Sequence, residues 1–334
     1  AWRYVEGVLR DLCARFGFAE IRTPLFEHTE LFQRGIGDTT DVVEKEMYTF
    51  ADRGQRSITL RPENTASAVR AFVEHKMYAD PDPTKLFYIG PMFRYDRPQA
   101  GRQRQFHQFG VEALGIPTPT IDAEVILLAV QILRSLGLRD LQLKINTVGC
   151  PNCRPAYRLK LQDYFRPHLA ELCKDCQGRF ERNPMRILDC QNERCHALAA
   201  GAPKLAECLD EECKQHFAAV QELLTAAGVE FTIDPTLVRG LDYYTRTAFE
   251  IQYPPLGAQS AVCGGGRYDG LVEEIGGPAT PGIGFAMGLE RVLLALQSQN
   301  LLPASKAAMD VFVVAPKPEV AALSKRFKNS GKPA

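Results

Sequence analysis

The sequence predicts an α+β protein built on a mixed, largely antiparallel sheet flanked by helices. Strand-like stretches are joined by hairpin-type loops, and helical stretches are bunched between them instead of alternating regularly with strands. No Walker phosphate loop and no dinucleotide-binding glycine fingerprint occurs, so any nucleotide site must be built by other means.

The elements follow in order. Trp2, Val5, Leu9 and Leu12 recur at helical spacing over residues 1–16, and Phe18 to Thr23 reads as a strand stopped by Pro24. Ser57 to Arg61 alternates as a strand, and Pro62 and Glu63 suit a helix start that Ala66 to Phe72 continues. Lys85–Ile89, Met92–Tyr95 and Gln105–Ala113 read as strands, the last two joined by the polar loop 96–104 into a long hairpin. An apolar helix spans 121–136 and a strand Leu141–Asn146. From Cys150 to about Gly228 the chain turns polar, Cys-rich and helical, which marks an inserted subdomain. Strand signals return at 231–233, 247–252, 259–263 and 282–287, a helix follows over 289–296, and Asp310–Val314 is one more apolar strand.

Composition narrows the classes. The 40 basic residues balance the 40 acidic ones, so no global field captures nucleic acid and any RNA contact must be a local patch. No apolar run approaches the roughly 20 residues a membrane helix needs, and the N-terminus carries no secretory pattern, so the expected location is the cytoplasm.

Two stretches carry chemistry. Arg94, Arg97, Arg102 and Arg104 crowd the hairpin against one acid, Asp96; guanidinium groups bind phosphate oxygens in pairs and keep their charge. A solvated basic loop is the plainer alternative, but Arg94 adjoins an apolar strand. On the return strand Gln108, Gly110 and Glu112 share a face, with Gln108 and Glu112 roughly 13 Å apart. One can hold the backbone end of a small amino acid and the other its side chain, with Gly110 leaving room between. His107 faces the other way and reads as structural. Gly264 to Gly266 reads as a turn, a bulge or a close approach to ligand.

These motifs resemble those of class II aminoacyl-tRNA synthetases, and among them the histidyl-tRNA synthetases. Leu60-Arg61-Pro62-Glu63 with Thr65 looks like that family's amino-acid-binding segment, and Phe93 to Glu112 like its motif 2 hairpin. Leu237-Val238-Arg239-Gly240-Leu241-Asp242-Tyr243-Tyr244 looks like the histidine-specific signature, and Gly264 to Asp269 like a second such segment. Gly284 to Arg291 looks like motif 3, and Phe18 to Pro24 is similar to motif 1, the dimer element.

The resemblance implies ATP with magnesium, L-histidine and tRNA(His) as substrates, and a homodimer. It implies Arg94 and Arg239 on the α-phosphate, Arg291 on the γ-phosphate and Arg102 at the ATP site. Glu63, Thr65 and Gln108 would hold the amino and carboxylate groups of histidine. Glu112 and Tyr244 would read the imidazole, beside Tyr243; neighbouring strand residues point oppositely, so both tyrosines reach one ligand only on irregular backbone. It divides the chain into a catalytic domain over 1–149 and 230–299, an inserted helical subdomain over 150–229, a linker over 300–308, and the start of an anticodon-binding domain over 309–334, where that domain is expected to be cut short. Asn64 stands where the family usually has glycine.

Cys150-x2-Cys153 and Cys173-x2-Cys176, nineteen residues apart, have the spacing of a four-thiolate structural zinc site. Cys190-x4-Cys195 and Cys208-x4-Cys213 can complete a second site or share the first; small buried thiols are the competing explanation. The competing function is a non-catalytic paralogue of the family that serves as regulatory subunit of ATP phosphoribosyltransferase, which has no reason to keep Arg94, Arg239 and Arg291 together.

Overall fold

A computed structural model describes residues 1–303 except 38, 39 and 191. The expected strand Asp310–Val314 and the whole stretch 304–334 lie outside the described residues.

Eleven strands form two sheets among the described residues. In chain order they are β1 (Ala19–Glu20), β2 (Phe26–His28), β3 (Tyr48–Ala51), β4 (Ser57–Leu60), β5 (Thr84–Phe93), β6 (Gln105–Leu114), β7 (Gln142–Thr147), β8 (Thr232–Ile233), β9 (Thr245–Gln252), β10 (Ala261–Arg267) and β11 (Gly282–Gly288). Eight of them make the main sheet in the order β1-β5-β6-β11-β10-β9-β7-β8; the other three make a small sheet, β2-β4-β3. The main sheet is antiparallel except at its edges, where β1 runs parallel to β5 and β8 to β7. The expected α+β sheet is therefore observed.

The hairpin is longer than the sequence suggests. Residues 84–93 form one strand, not two, and Pro91 sits inside it. A proline survives there because β1 pairs only with Leu86 and Phe87, so Pro91 faces no ladder acceptor on its outer side.

The helices follow the apolar spacing. In chain order the ones that matter here are α1 (Trp2–Arg15), α2 (Thr29–Ile36), α3 (Thr65–Glu74), α4 (Pro119–Ser135), α5 (Arg154–Phe165), α6 (Lys174–Arg182), α7 (Glu193–Ala199), α8 (Glu211–Ala226), α9 (Leu271–Glu274) and α10 (Leu289–Ser298). Helix α3 starts two residues later than Pro62 and Glu63 suggest, because Glu63 caps it from outside: its carboxylate accepts the backbone N–H groups of Thr65 and Ala66 at 2.6 and 3.0 Å. Asn64 has φ −121°, a conformation open to any residue, and its Oδ1 accepts from Thr23 and Arg61, so glycine is not required there.

Helix α4 is buried almost all round and packs under β6, β9, β10 and β11, between α1 and α8. It carries a charge into that core. Asp122 and Arg267 are both fully buried, and Arg267 Nε lies 3.1 and 3.2 Å from the two carboxylate oxygens. Thr247 on β9 donates to Asp122 at 2.6 Å and His216 on α8 lies at 2.8 Å. The remaining guanidinium donors reach the carbonyls of Ile116 and Thr118 and the carboxylate of Asp269.

The stretch 150–229 has an apolar core of its own, built from Tyr157, Leu161, Phe165, Phe180, Ile187 and their neighbours. Its last helix, α8, returns along α4, and residues 1–301 form one compact unit.

Asp122→Asn tests the buried pair. It leaves Arg267 with Asp269 as its one carboxylate partner and is expected to cost about 3–5 kcal/mol in urea unfolding; a loss under about 1 kcal/mol would mean that Asp269 and the carbonyls carry the guanidinium.

Candidate active site

Sheet register builds the site. Tyr88, Gly110, Ala286, Gly264 and Glu250 lie opposite one another on β5, β6, β11, β10 and β9, so they form one row across five strands on one face. The row is small in the middle and large at its ends. Gly110 leaves room, but for the Tyr88 ring, which a Cβ at 110 would strike, and not for the ligand expected there. Gly264 likewise lies under the guanidinium of Arg239, and any side chain there would collide with it. What remains is a trench floored by Ala286.

A cavity of about 210 Å³ opens over this trench. Arg94, Arg102, Arg239 and Arg291, far apart in the chain, all line it, and so do Glu63, Thr65, Gln108, Tyr243 and Tyr244. Each cation is held by a fixed partner. Arg94 donates to the carbonyl of Pro62 at 2.9 Å and lies over the Phe106 ring, with Cζ 5.4 Å from its centre. Arg102 pairs with Asp96 at 2.8 Å. Arg239 pairs with Glu250 at 2.8 Å and lies over the Tyr244 ring. Arg291 is tied at three points, to the carbonyls of Gly101 and Ala261 and to Gln259, at 2.7 to 2.9 Å. Its pKa is held below the ordinary guanidinium value by burial and by the cations of Arg102 and Arg94 beside it. That crowding is relieved by an anion.

The other end is polar. Tyr243 and Tyr244 both reach the cavity because residues 240–244 form a bend and a turn, not a strand; their ring centres lie 4.6 Å apart. The backbone is thus irregular at the place where both tyrosines needed it to be. Gln108 Oε1 is buried and accepts no hydrogen bond among the described residues. Nε of Arg239 is likewise buried and without a partner among them. His107 faces away, as expected: its ring meets Trp2 edge-on at 5.0 Å and its Nδ1 lies 2.9 Å from Glu290.

Glu112 is the main displacement from expectation. It does not line the cavity but lies one layer beneath, 1% exposed. Its carboxyl accepts from Thr65 at 2.8 Å, from Tyr88 at 3.0 Å and from Tyr268. Burial pushes its pKa from 4.5 up to about 8, with Glu63 adding to the rise and the hydroxyls of Tyr268, Thr65 and Tyr88 opposing it. Burial also raises Glu63, against the N–H groups that cap onto it.

Three residues here were not singled out from sequence. Tyr268 lines the cavity and Glu250 holds Arg239 in it, while Tyr88 walls the trench below. Tyr88 and Glu250 were legible only as strand positions. Tyr268 stood inside the glycine-rich motif, but nothing in spacing separates it from the aromatic residues around it.

The cysteines regroup. The set Cys150, Cys153, Cys173 and Cys176 is not brought together; each Cys-x2-Cys pair closes on a later segment. Cys173 and Cys176 meet Cys190 and Cys195, while Cys150 and Cys153 meet Asp210 and Cys213. Cys208 joins neither cluster and packs against the apolar core of the insert. The reason is topological: Cys150 and Cys153 stand where the insert leaves β7, and the insert's return at α8 is the segment that comes back to them.

A largely antiparallel sheet, with a long arginine-bearing hairpin over a polar trench and no glycine phosphate loop, defines a class II aminoacyl-tRNA synthetase catalytic domain. A family model described as histidyl-tRNA synthetase matches residues 2–152 and 161–292, and the chain belongs to the histidyl-tRNA synthetase family. It is 62% identical over 300 residues to a histidine–tRNA ligase of Desulforamulus reducens, covering 90% of this chain and 72% of that one. It is 56% identical over 334 residues to a histidine–tRNA ligase of Pelotomaculum thermopropionicum, covering 99% and 79%. The crystal structure of apo S. aureus histidyl-tRNA synthetase superposes with a TM-score of 0.78 at 42% identity, over 98% of this chain and 77% of that one.

Glu112→Gln tests the buried acid. A folded pKa raised above 4.5 gives stability that is full below about 4.5 and is lost progressively as pH rises to about 8. The melting temperature of the wild type relative to Glu112→Gln is therefore expected to fall from about pH 5 to about pH 9; a constant difference would remove the charge from this layer.

Proposed function

We propose that this chain activates L-histidine with ATP and transfers it to the 3′ end of tRNA(His). The observation that carries this is the convergence of four arginines on one cavity whose other end holds unpaired polar groups and two tyrosines. Each half suits one substrate.

The triphosphate lies along the arginines. A histidine carboxylate oxygen attacks the α-phosphorus, the bond to the bridging oxygen breaks, and pyrophosphate leaves. Arg94 and Arg239 flank that phosphorus, where charge builds in the transition state. Arg291 and Arg102 hold the outer phosphates. Each preorganised donor of this kind is typically worth about 3–4 kcal/mol in the barrier. ATP would enter as its magnesium complex, the ion neutralising the outer phosphates.

Histidine lies across the trench. Its ammonium group matches the free oxygen of Gln108 together with Glu63 and Thr65. Its imidazole, one donor and one acceptor when neutral, meets the hydroxyls of Tyr244 and Tyr268 with the carboxyl of Glu112 directly behind. Apolar competitors would leave these buried groups unpaired.

The second step consumes the adenylate: a ribose hydroxyl of the tRNA attacks its carbonyl carbon and AMP leaves. A second cavity, lined by Arg154, Arg158, Arg182 and Arg186, shares Arg239 and Tyr244 with the first and supports an approach for a phosphate backbone from the side of the insert. Dimerisation through residues 18–24 is supported by the exposed Leu25, Phe26 and Phe50 beside them. A cytoplasmic setting fits protein synthesis, and no helix among the described residues is long and apolar enough to cross a membrane. The regulatory-subunit reading is not favoured, since relatives at 56% and 62% identity are histidine–tRNA ligases.

Arg239→Ala is expected to lower histidine-dependent ATP–pyrophosphate exchange by about 10²-fold or more while the melting temperature moves little. Exchange within a factor of about three of wild type would take Arg239 off the reacting phosphorus.

A further inference from the structure

The two sulfur clusters have the geometry of metal sites. In Cys173, Cys176, Cys190 and Cys195, and again in Cys150, Cys153, Asp210 and Cys213, the four donor atoms all lie within 4.8 Å of one another. Zinc–sulfur bonds of about 2.3 Å in a tetrahedron put neighbouring sulfurs about 3.8 Å apart. Cys173 and Cys190 sulfurs are 3.8 Å apart, and those of Cys150 and Cys153 are 3.5 Å apart. A disulfide would need about 2.05 Å, and the cysteines are free. Thiols packed merely as small hydrophobes have no reason to gather four in one cluster, and three with a carboxylate in the other, with every donor atom within 4.8 Å of the rest.

Helix starts and backbone donors converge on both clusters. Cys153 and Cys173 stand at the N-caps of α5 and α6, and Cys213 lies in the first turn of α8. Backbone N–H groups of Cys173 and Asp210 donate to the sulfurs of Cys195 and Cys153, each at 3.2 Å. Asp210 divides its carboxylate: Oδ1 caps α8 by accepting from the N–H of Cys213 at 2.8 Å, and Oδ2 faces Cys150 sulfur at 3.1 Å.

We propose that the chain holds two structural zinc ions, one on Cys173, Cys176, Cys190 and Cys195, the other on Cys150, Cys153, Asp210 and Cys213. Four protein donors leave neither ion an open position for chemistry. The first ion ties α6 to α7 inside the insert. The second closes the root of the insert, joining the chain where it leaves β7 to the chain where α8 returns. That root borders the active site: Arg154, next to Cys153, donates Nε to the carbonyl of Val148 at 3.1 Å and Nη2 to the carbonyl of Tyr244. Opening the root site therefore loosens Tyr244, a consequence that rests on the histidine-pocket reading, whereas the metal content does not.

The test is elemental analysis of the purified chain, prepared without chelators or a metal-affinity tag. Two zinc ions per chain are expected, falling to one in Cys190→Ser and to one in Cys213→Ser; one ion or none in the wild type overturns the proposal. Should either variant fail to fold, thiol titration of the native wild type decides. The ligand cysteines are expected to react only after a chelator is added, and an equal thiol count with and without chelator overturns the proposal. Cys213→Ser is further expected to raise the KM for histidine several-fold more than Cys190→Ser; two ions with no such difference would retain the metal sites and refute the coupling to the pocket.

Discussion

Arg267 is the largest side chain with no exposure among the described residues, and its charge is balanced by Asp122, equally buried. Two ions taken out of water cost several kcal/mol each unless geometry and further hydrogen bonds repay it. Here every donor of the guanidinium and both oxygens of the carboxylate are engaged. Because those partners come from α4, α8, β9 and β10, the pair fixes the helix layer against the sheet at one point. It also fixes the residue after Arg267. Tyr268 turns its ring into the core and its hydroxyl to Glu112, and Glu112 in turn receives Thr65 and Tyr88. The floor of the cavity therefore hangs from an ion pair that does not line it.

The site divides its electrostatics by height. Below, burial pushes the carboxyl of Glu112 toward its neutral form, with Glu63 adding to the rise, and burial also raises Glu63 at the cavity wall. Above, the cations are pinned by carbonyls, by Asp96 and by Glu250, and burial together with the neighbouring Arg102 and Arg94 depresses Arg291. On the proposed reading, a polyanion would satisfy the upper layer and a neutral, two-sided ring the lower. Such a surface needs no large conformational change to favour a transition state that gathers charge at one phosphorus, since its donors are already fixed.

Much of this was legible in the sequence where residues act through local pattern. Alternation placed Gln108 and Glu112 on one face, the arginine-rich loop announced an anion site, and the motif at 237–244 supplied Arg239 and both tyrosines. What stayed hidden depends on cross-strand partners. Glu112 was assigned to the pocket wall because strand periodicity gives a face but not a depth; Tyr268 and Tyr88, which cover it, come from strands and turns distant in sequence. Gly110 and Gly264 signalled close approach, yet only register shows that Tyr88 and Arg239 are what approach them. The Asp122–Arg267 pair left no trace, an acid in an apolar helix and an arginine in a glycine-rich strand being unremarkable apart. Cysteine spacing revealed pairs but not their partners, since Asp210 and the return of α8 are set by the path of the insert.

On the proposed reading, one trench joins the four cations to a pocket that only an imidazole side chain satisfies. ATP–pyrophosphate exchange by the wild-type chain, run with each of the twenty amino acids in turn, tests it most directly. Histidine alone is predicted to drive exchange, with apolar competitors slower by about 10⁴ or more. Exchange with none, or at a similar rate with another amino acid, would contradict it.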